Sequence, residues 1–478
     1  MKSYLFYDLE TTGLNKSFDQ ILQFAAIRTD EHLNEKERHS IQVKLRPDVV
    51  PSPYAVITHR IPFAQLMEGT PEYDAVLRIH ALLNTPGTVS LGYNTLGFDD
   101  EFLRFSFHRN LLPPYTHQYA NRCGRMDLLP VAVLYYLYKP DVLVWPTVDG
   151  KPTLKLEHLL RENGLAEGRA HDAMVDVEAT LELARRFKQE KSMWDFVLGY
   201  FNKESDKERI NKLPSAFDSA AGMHVMGIMT GSKFGGDSLY QAPVVYLGDS
   251  IPYKNQSLWL RIDQPELRNT VEGAVFETTR AVRKRMGEPE IILPPLDRFM
   301  GRLSDERKAC MDENISWLKR ERKNFYAIIK EYCEFRYPDV PNVDPDASLY
   351  TNGFLSRDDE KLCASFHRHV RDKGLSLVEG FGTSHLKHLA LRIFLRSFDR
   401  NDFKGYEEDV QKYMDKVNAV NDETAMVDYR NERKLTPIKA LEQIGEIREE
   451  NRCDNEQTSL LDDLESYIKN RFQVSKIL

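Results

Sequence analysis

Cysteine is scarce in this chain and poorly placed for a structural task. The 478 residues hold five, Cys123, Cys310, Cys333, Cys363 and Cys453, an odd and dispersed set with no Cys-x-x-Cys pair. That excludes a disulfide framework and a zinc knuckle, and it fits free thiols in a reducing compartment. Long apolar runs are missing as well. PVAVLYYLY from Pro130 is the longest, far short of the roughly 20 residues that cross a bilayer, so a soluble, cytoplasmic protein is expected. From Lys2 the chain passes through a short apolar stretch straight to Asp8, which leaves no room for a secretory hydrophobic region. There is no internal repeat and no low-complexity tract. A positive balance is lacking too: 65 Lys and Arg stand against 73 Asp and Glu, a formal charge of −8.

What is present suits a multidomain enzyme. A chain of this length exceeds what one core organises, and 41% hydrophobic residues supply two or three. Up to about residue 196, apolar strands at 4–7, 22–28, 41–45 and 89–93 alternate with helical stretches at 74–84, 127–138 and 156–163, the pattern of an α/β domain. The polar run NKESDKERINK from Asn202 reads as a linker. Short β-rich pieces follow between about 215 and 300 (AGMHVMGIMT, APVVYLG, SLWLRID), set apart by Gly, Asp, Ser and Pro, and they could close as a small barrel. From about 301 the spacing turns helical, in KNFYAIIKEYCEF, HLKHLALRIFLRSF and DVQKYMDKVNAV.

Chemistry concentrates in three N-terminal segments. In YLFYDLETTG, strand alternation sends Asp8 and Glu10 to the same face. In NTLGFDDEFL, Asp99 stands where a helix would begin after the strand TVSLGYN. In AHDAMVDVEAT, Asp172 is the expected N-cap and Asp176 lies one turn in. Taken singly, each acid reads as a solvated turn residue or a helix cap. If the segments converge, however, Asp8, Glu10, Asp99 and Asp176 form a hard-oxygen cage for two Mg²⁺ ions, or Mn²⁺ in their place. Two ions about 4 Å apart would clamp the attacking and leaving oxygens of a phosphodiester. His171, just before the helix, titrates near neutrality and could take the proton of the attacking water as general base.

At these residues the chain resembles the DEDDh exonucleases, through Asp8-Leu9-Glu10-Thr11, Asn94 to Asp99 (NTLGFD) and His171 to Asp176 (HDAMVD). The resemblance implies a ribonuclease-H-like core with a mixed sheet and cleavage from a 3′ end. It also implies that the four acids hold metal while His171 activates water. Flanking stretches are similar to the bacterial exonuclease I family within that superfamily: LQFAAIRTD, LGYNTLGFDDE, RMDLL, PTLKLEHLLRENG, MHVMG, SKFGG, APVVYL and DASLYTNGF. That likeness implies a multidomain α/β protein with an exonuclease domain at 1–196, an SH3-like β-barrel domain with flanking helices at 202–340, and a helical C-terminal domain at 341–478. It further implies a monomer that digests single-stranded DNA processively to 5′-mononucleotides and docks the C-terminal tail of single-stranded DNA-binding protein.

The negative balance does not exclude nucleic acid, because phosphate affinity depends on where cations sit and bound metal would neutralise part of the acid. Candidate DNA-binding cations are Lys155 and Arg125, with Arg122 and Lys233 beside them. Two other readings remain open. An RNA 3′-end trimming enzyme carries the same motif set, and a catalytically silent single-strand-binding module would keep the architecture without the chemistry.

Overall fold

The segment SYLFYDLET forms β1 (Ser3–Thr11), almost wholly buried, at the centre of a five-stranded sheet. In chain order its partners are β2 (Ile21–Thr29), β3 (Glu35–Gln42), β4 (Thr88–Gly92) and β5 (Gly124–Asp127), arranged β3-β2-β1-β4-β5. β1 runs antiparallel to β2 and parallel to β4, and β2 runs antiparallel to β3, so the sheet is mixed as expected. This computed structural model describes residues 2–165, 167–168, 172–398, 403–419 and 422–472. They divide into two compact units, the first of residues 1–125, 167–178 and 339–478, the second of 126–166 and 179–338.

In the first unit, the strand expected at 41–45 lies earlier. EKERHSIQ is charged and mostly exposed because β3 is an edge strand, pairing only β2. Arg38 and Glu35 form an ion pair there at 3.0 Å, and charge on an edge discourages pairing with another chain. Gly92 has a steric reason to be glycine: a Cβ there would sit 2.5 Å from the Tyr7 carbonyl oxygen, so β4 approaches β1 this closely only without a side chain.

The helices of this unit that matter to the site are α1 (Pro53–His59), α2 (Glu72–Leu83), α3 (Asp99–Arg109), the start of α4 (Ala173–Gln189), α5 (Ser384–Ser397), α6 (Pro437–Glu450) and α7 (Asn455–Arg471). α2 and α3 cover one sheet face, with Ala75, Val76, Ile79, Phe102 and Phe107 packed against Leu5, Tyr7, Leu9 and Phe24. A second core joins the two ends of the chain: Phe18, Leu22, Leu45 and Val56 pack with Ile444, Ile447, Leu461 and Ile468.

In the second unit, six strands form an antiparallel sheet: β6 (Ser215–Ser219), β7 (Gly222–Thr230), β8 (Gln241–Asp249), β9 (Ser257–Arg261), β10 (Ala281–Lys284) and β11 (Ile291–Leu293). Their order is β10-β9-β8-β7-β11, with β6 also on β7. Helices Asp305–Arg320 and Arg322–Glu334 bury Met311, Trp317, Leu318, Phe325 and Ile328 against Val245, Leu258 and Leu260. The run expected as a linker is instead a helix, Lys203–Asn211. Asn202 caps it by accepting from the Ser205 amide, Ile210 is buried, and buried Asp206 accepts from Lys284.

All five cysteines are free, and among the described residues no helix is long and apolar enough to cross a membrane.

Candidate active site

β1 carries Asp8 and Glu10 into the site. They pair with Ala25 and Gln23 on β2, and the register shifts after Glu10, where the strand ends. Asp99 is the first residue of α3, and Asp100 beside it is put to another use. Asp100 is buried between Arg104, at 2.8 Å, Arg125 and His117, at 2.9 Å. Burial pushes its carboxyl up, but the Arg125 and Arg104 charges outweigh that and hold it well below the usual carboxylate range. This cluster fixes the start of α3 and so the backbone of Asp99. At α4, Asp172 accepts from the Met174 amide at 3.0 Å, which makes it the cap that the sequence predicts. Asp176 follows within the first turn, and Glu178 ties this end of α4 to Arg38 of β3.

These segments converge. Asp8, Glu10 and Asp176 each place a carboxylate oxygen within 4.8 Å of the other two. Burial, then the charges of Asp99, Asp176 and Glu10, push the Asp8 carboxyl well above its ordinary range. Burial together with Asp176, Asp99 and Asp172 pushes Glu10 up to about 9. Two buried carboxyls pushed up by their acidic neighbours are costly to leave bare. A divalent cation favours the ionised form of each and takes hard oxygen donors of this kind, so the residues present fit such an ion.

The carboxylates open into a cavity of about 700 Å³. Asp8, Glu10, Asp99 and Asp176 line it, as does Asn94, whose backbone is left-handed at φ 64°. The rest of the lining was not evident from the sequence. α1 contributes Tyr54, Thr58 and His59, and the C-terminal segment contributes Arg433, Lys434, Lys439 and Gln443. Lys434 is buried, donates to the Asp48 carbonyl at 2.6 Å, and is pushed down to about 8 by that burial. The Thr436 hydroxyl starts α6 by accepting from the Lys439 amide. A Thr-Pro helix start could be read in the sequence, but its place beside residues some 400 positions earlier could not.

The other expected residues fall elsewhere. His171 lies outside the described residues. Arg125 is engaged by Asp100, and its side chain is 11% exposed. Arg122 is exposed. In the second unit, Lys155 is exposed, 3.6 Å from Glu157, and Lys233 is paired with Glu290 at 3.0 Å.

Comparison with known proteins places this geometry in a family. A family model described as an exonuclease (RNase_T) matches residues 5–184. Exodeoxyribonuclease I of Escherichia coli K12 is 31% identical over 381 residues, 74% of this chain and 77% of that one. The Haemophilus influenzae exodeoxyribonuclease I is 28% identical over 425 residues, covering 83% and 88%. Among solved structures, E. coli exonuclease I in complex with a dA16 oligonucleotide matches with a TM-score of 0.83 at 23% identity, over 98% of this chain and 100% of that one. The structural match extends the likeness in fold to both units and supports the ribonuclease-H-like reading of the mixed sheet. On this extent and identity the chain belongs to the exodeoxyribonuclease I family.

Proposed function

We propose that this protein hydrolyses single-stranded DNA from the 3′ end and releases nucleoside 5′-phosphates, as membership of its family implies. The observation that carries the reading is the convergence of Asp8, Glu10 and Asp176 in one cavity. In this reading Asp8, Glu10, Asp99 and Asp176 would hold two Mg²⁺ ions. When bound, divalent ions supply charge neutralisation at the phosphate and lower the pKa of a coordinated water.

The chain's own groups do the remaining work. The Asp100 cluster and the Arg38–Glu178 pair keep the Asp99 and Asp176 backbones in place, so little reorganisation is needed when substrate arrives. His171 takes the proton from the attacking water, since a neutral imidazole is the base in these segments suited to pH 7. Lys155 and Arg125 remain candidate strand contacts, Lys155 with the freer charge because Asp100 already engages Arg125. Docking of the tail of single-stranded DNA-binding protein and a monomeric state belong to the same proposal.

The test is a side-by-side digestion of labelled single-stranded DNA, single-stranded RNA and duplex DNA in Mg²⁺. Rapid loss of single-stranded DNA from its 3′ end is expected. Preferential loss of RNA would favour the end-trimming alternative, and binding without cleavage would favour a silent module.

A further inference from the structure

The chain leaves β1 just after Glu10, and the loop that leads to β2 becomes part of the cavity wall through Gly13, Leu14, Asn15, Phe18 and Asp19. Surface loops ordinarily shift more than the elements they join, yet this one is held at three places. From within, the Asp19 carboxylate accepts from the Thr12 hydroxyl at 3.0 Å and from the Asn15 amide at 2.8 Å. Gly13 packs so closely on it that a Cβ there would stand 2.5 Å from Asp19 Oδ2. Beside the start of α3, the Lys16 amine lies 5.6 Å from the centre of the Phe98 ring. At the end of α3, Arg109 donates to the Ser17 carbonyl at 2.7 Å and to the Asp19 carbonyl at 3.0 Å.

Arg109 is wholly buried, and Glu72, 3.8 Å away, is already held by Arg46 at 3.0 Å. Burial, then the Arg46 charge, pushes its guanidinium down to about 10, which still leaves it charged at pH 7. A buried guanidinium costs stability that an apolar side chain of like volume would not. What it supplies is geometry, since its planar fork fixes the direction of each donor. Here the fork joins the helix that begins with Asp99 to the loop that follows Glu10.

We infer that Arg109 is a positioning residue for the hydrolysis: through the Ser17 and Asp19 carbonyls it sets the β1–β2 loop against α3, and with it the spacing of Glu10 and Asp99. The inference rests on the exonuclease reading above and adds a residue that is not part of the cavity lining. A helix transmits a shift of its last turn to its first, and a misplacement of about 1 Å costs about 100-fold in rate even when its source is remote from the chemistry.

Arg109→Met keeps most of the volume and removes the fork, whereas Arg109→Lys keeps the charge and a single donor group. Each is compared with the wild-type enzyme, below its own Tm, in release of the first nucleotide from single-stranded DNA and in the rise in Tm that Mg²⁺ produces. In the folded protein kcat should fall about 100-fold for Arg109→Met and about 10-fold for Arg109→Lys, with KM within about 2-fold, and the Mg²⁺-dependent rise in Tm should shrink in both. A residue that only stabilises the fold would lower Tm and leave both quantities at their native values. That result overturns the inference, as does a loss confined to KM. Gly13→Ala presses on the same loop from the side of Asp19, so it should lower kcat as well and add little to Arg109→Met; fully additive losses overturn the inference too. If neither Arg109 variant folds, Gly13→Ala decides alone, and a native kcat there overturns it. Failure of the wild-type enzyme to cut the DNA would instead overturn the exonuclease reading, and this inference with it.

Discussion

Asp8 and Glu10 sit where burial and neighbouring charge both oppose ionisation, an arrangement that weakens a fold unless a cation compensates. Asp8→Asn keeps the shape and deletes one charge. Cleavage should fall below detection, while thermal stability in chelator should rise by an amount of order 1 kcal/mol. The upward shift in Tm that the native protein gains from Mg²⁺ should shrink, since fewer ligands remain. Retained activity with a full Mg²⁺ shift would remove Asp8 from the ligand set. His171→Ala should cost roughly 10²–10⁴ in rate, mostly in kcat, and erase the acidic limb of the pH–rate profile. A profile that keeps this limb would assign the base elsewhere. At this scale the converging acids Asp8, Glu10 and Asp176 were legible because strand alternation and helix capping are local rules. Asp99 and Asp100 show the limit of such rules. They are adjacent and chemically identical, and nothing local in the sequence says that Arg104, Arg125 and His117 gather around Asp100.

Elements followed their local patterns where burial followed periodicity, and departed where charge disguised it. Helix Leu156–Asn163 occupies the predicted residues, and β2 extends the predicted strand by one residue at each end. β3 was misplaced because an edge strand with ion-paired side chains carries no apolar alternation. Helix Lys203–Asn211 was mistaken for a linker for a related reason. Apart from Ile210, its contribution to the core is an ion pair between Asp206 and Lys284, both wholly buried, rather than an apolar stripe. Burial alone pushes the Lys284 amine down, and Asp206 counteracts it. Asp206→Ala would leave a buried ammonium without its carboxylate and should destabilise this unit by about 3–5 kcal/mol, read as a lower urea midpoint at unchanged slope. Combining it with Lys284→Met should recover much of the loss. If the double variant is no better than the single, the cost lies in the helix and not in the unpaired charge.

At the scale of the molecule, the first unit is closed by its own two ends, and nothing local in the sequence announces that. Hydrophobic spacing marks α6 and α7 as amphipathic, but it does not say that Ile444 and Ile468 meet Phe18 and Leu22. A buried ionic cluster reinforces the junction. Arg396 of α5 donates to Asp48 at 2.9 Å and also bonds Asp346, while Arg46 pairs with Glu72 at 3.0 Å. Asp48 also binds the Lys434 amine through its carbonyl, and Lys434 lines the cavity of the acids. Burial pushes the Asp48 carboxyl up, but Arg396 and Arg46 hold it well below the usual range, so it stays ionised. The wall of the site and the stability of the unit therefore share one set of charges. Arg396→Ala should destabilise the unit by taking one arginine from each of Asp48 and Asp346, by less than the roughly 3–5 kcal/mol of a wholly unpaired buried charge because Arg46 and Arg392 remain beside them. Because the N-terminal sheet and the C-terminal helices share a core, they should lose protection together. Hydrogen exchange of β1, β2 and α5 should rise in parallel with denaturant. Helices that open while the sheet stays protected would mean that the C-terminal segment folds on its own, and that the cavity wall it provides can be removed without unfolding the sheet that carries Asp8.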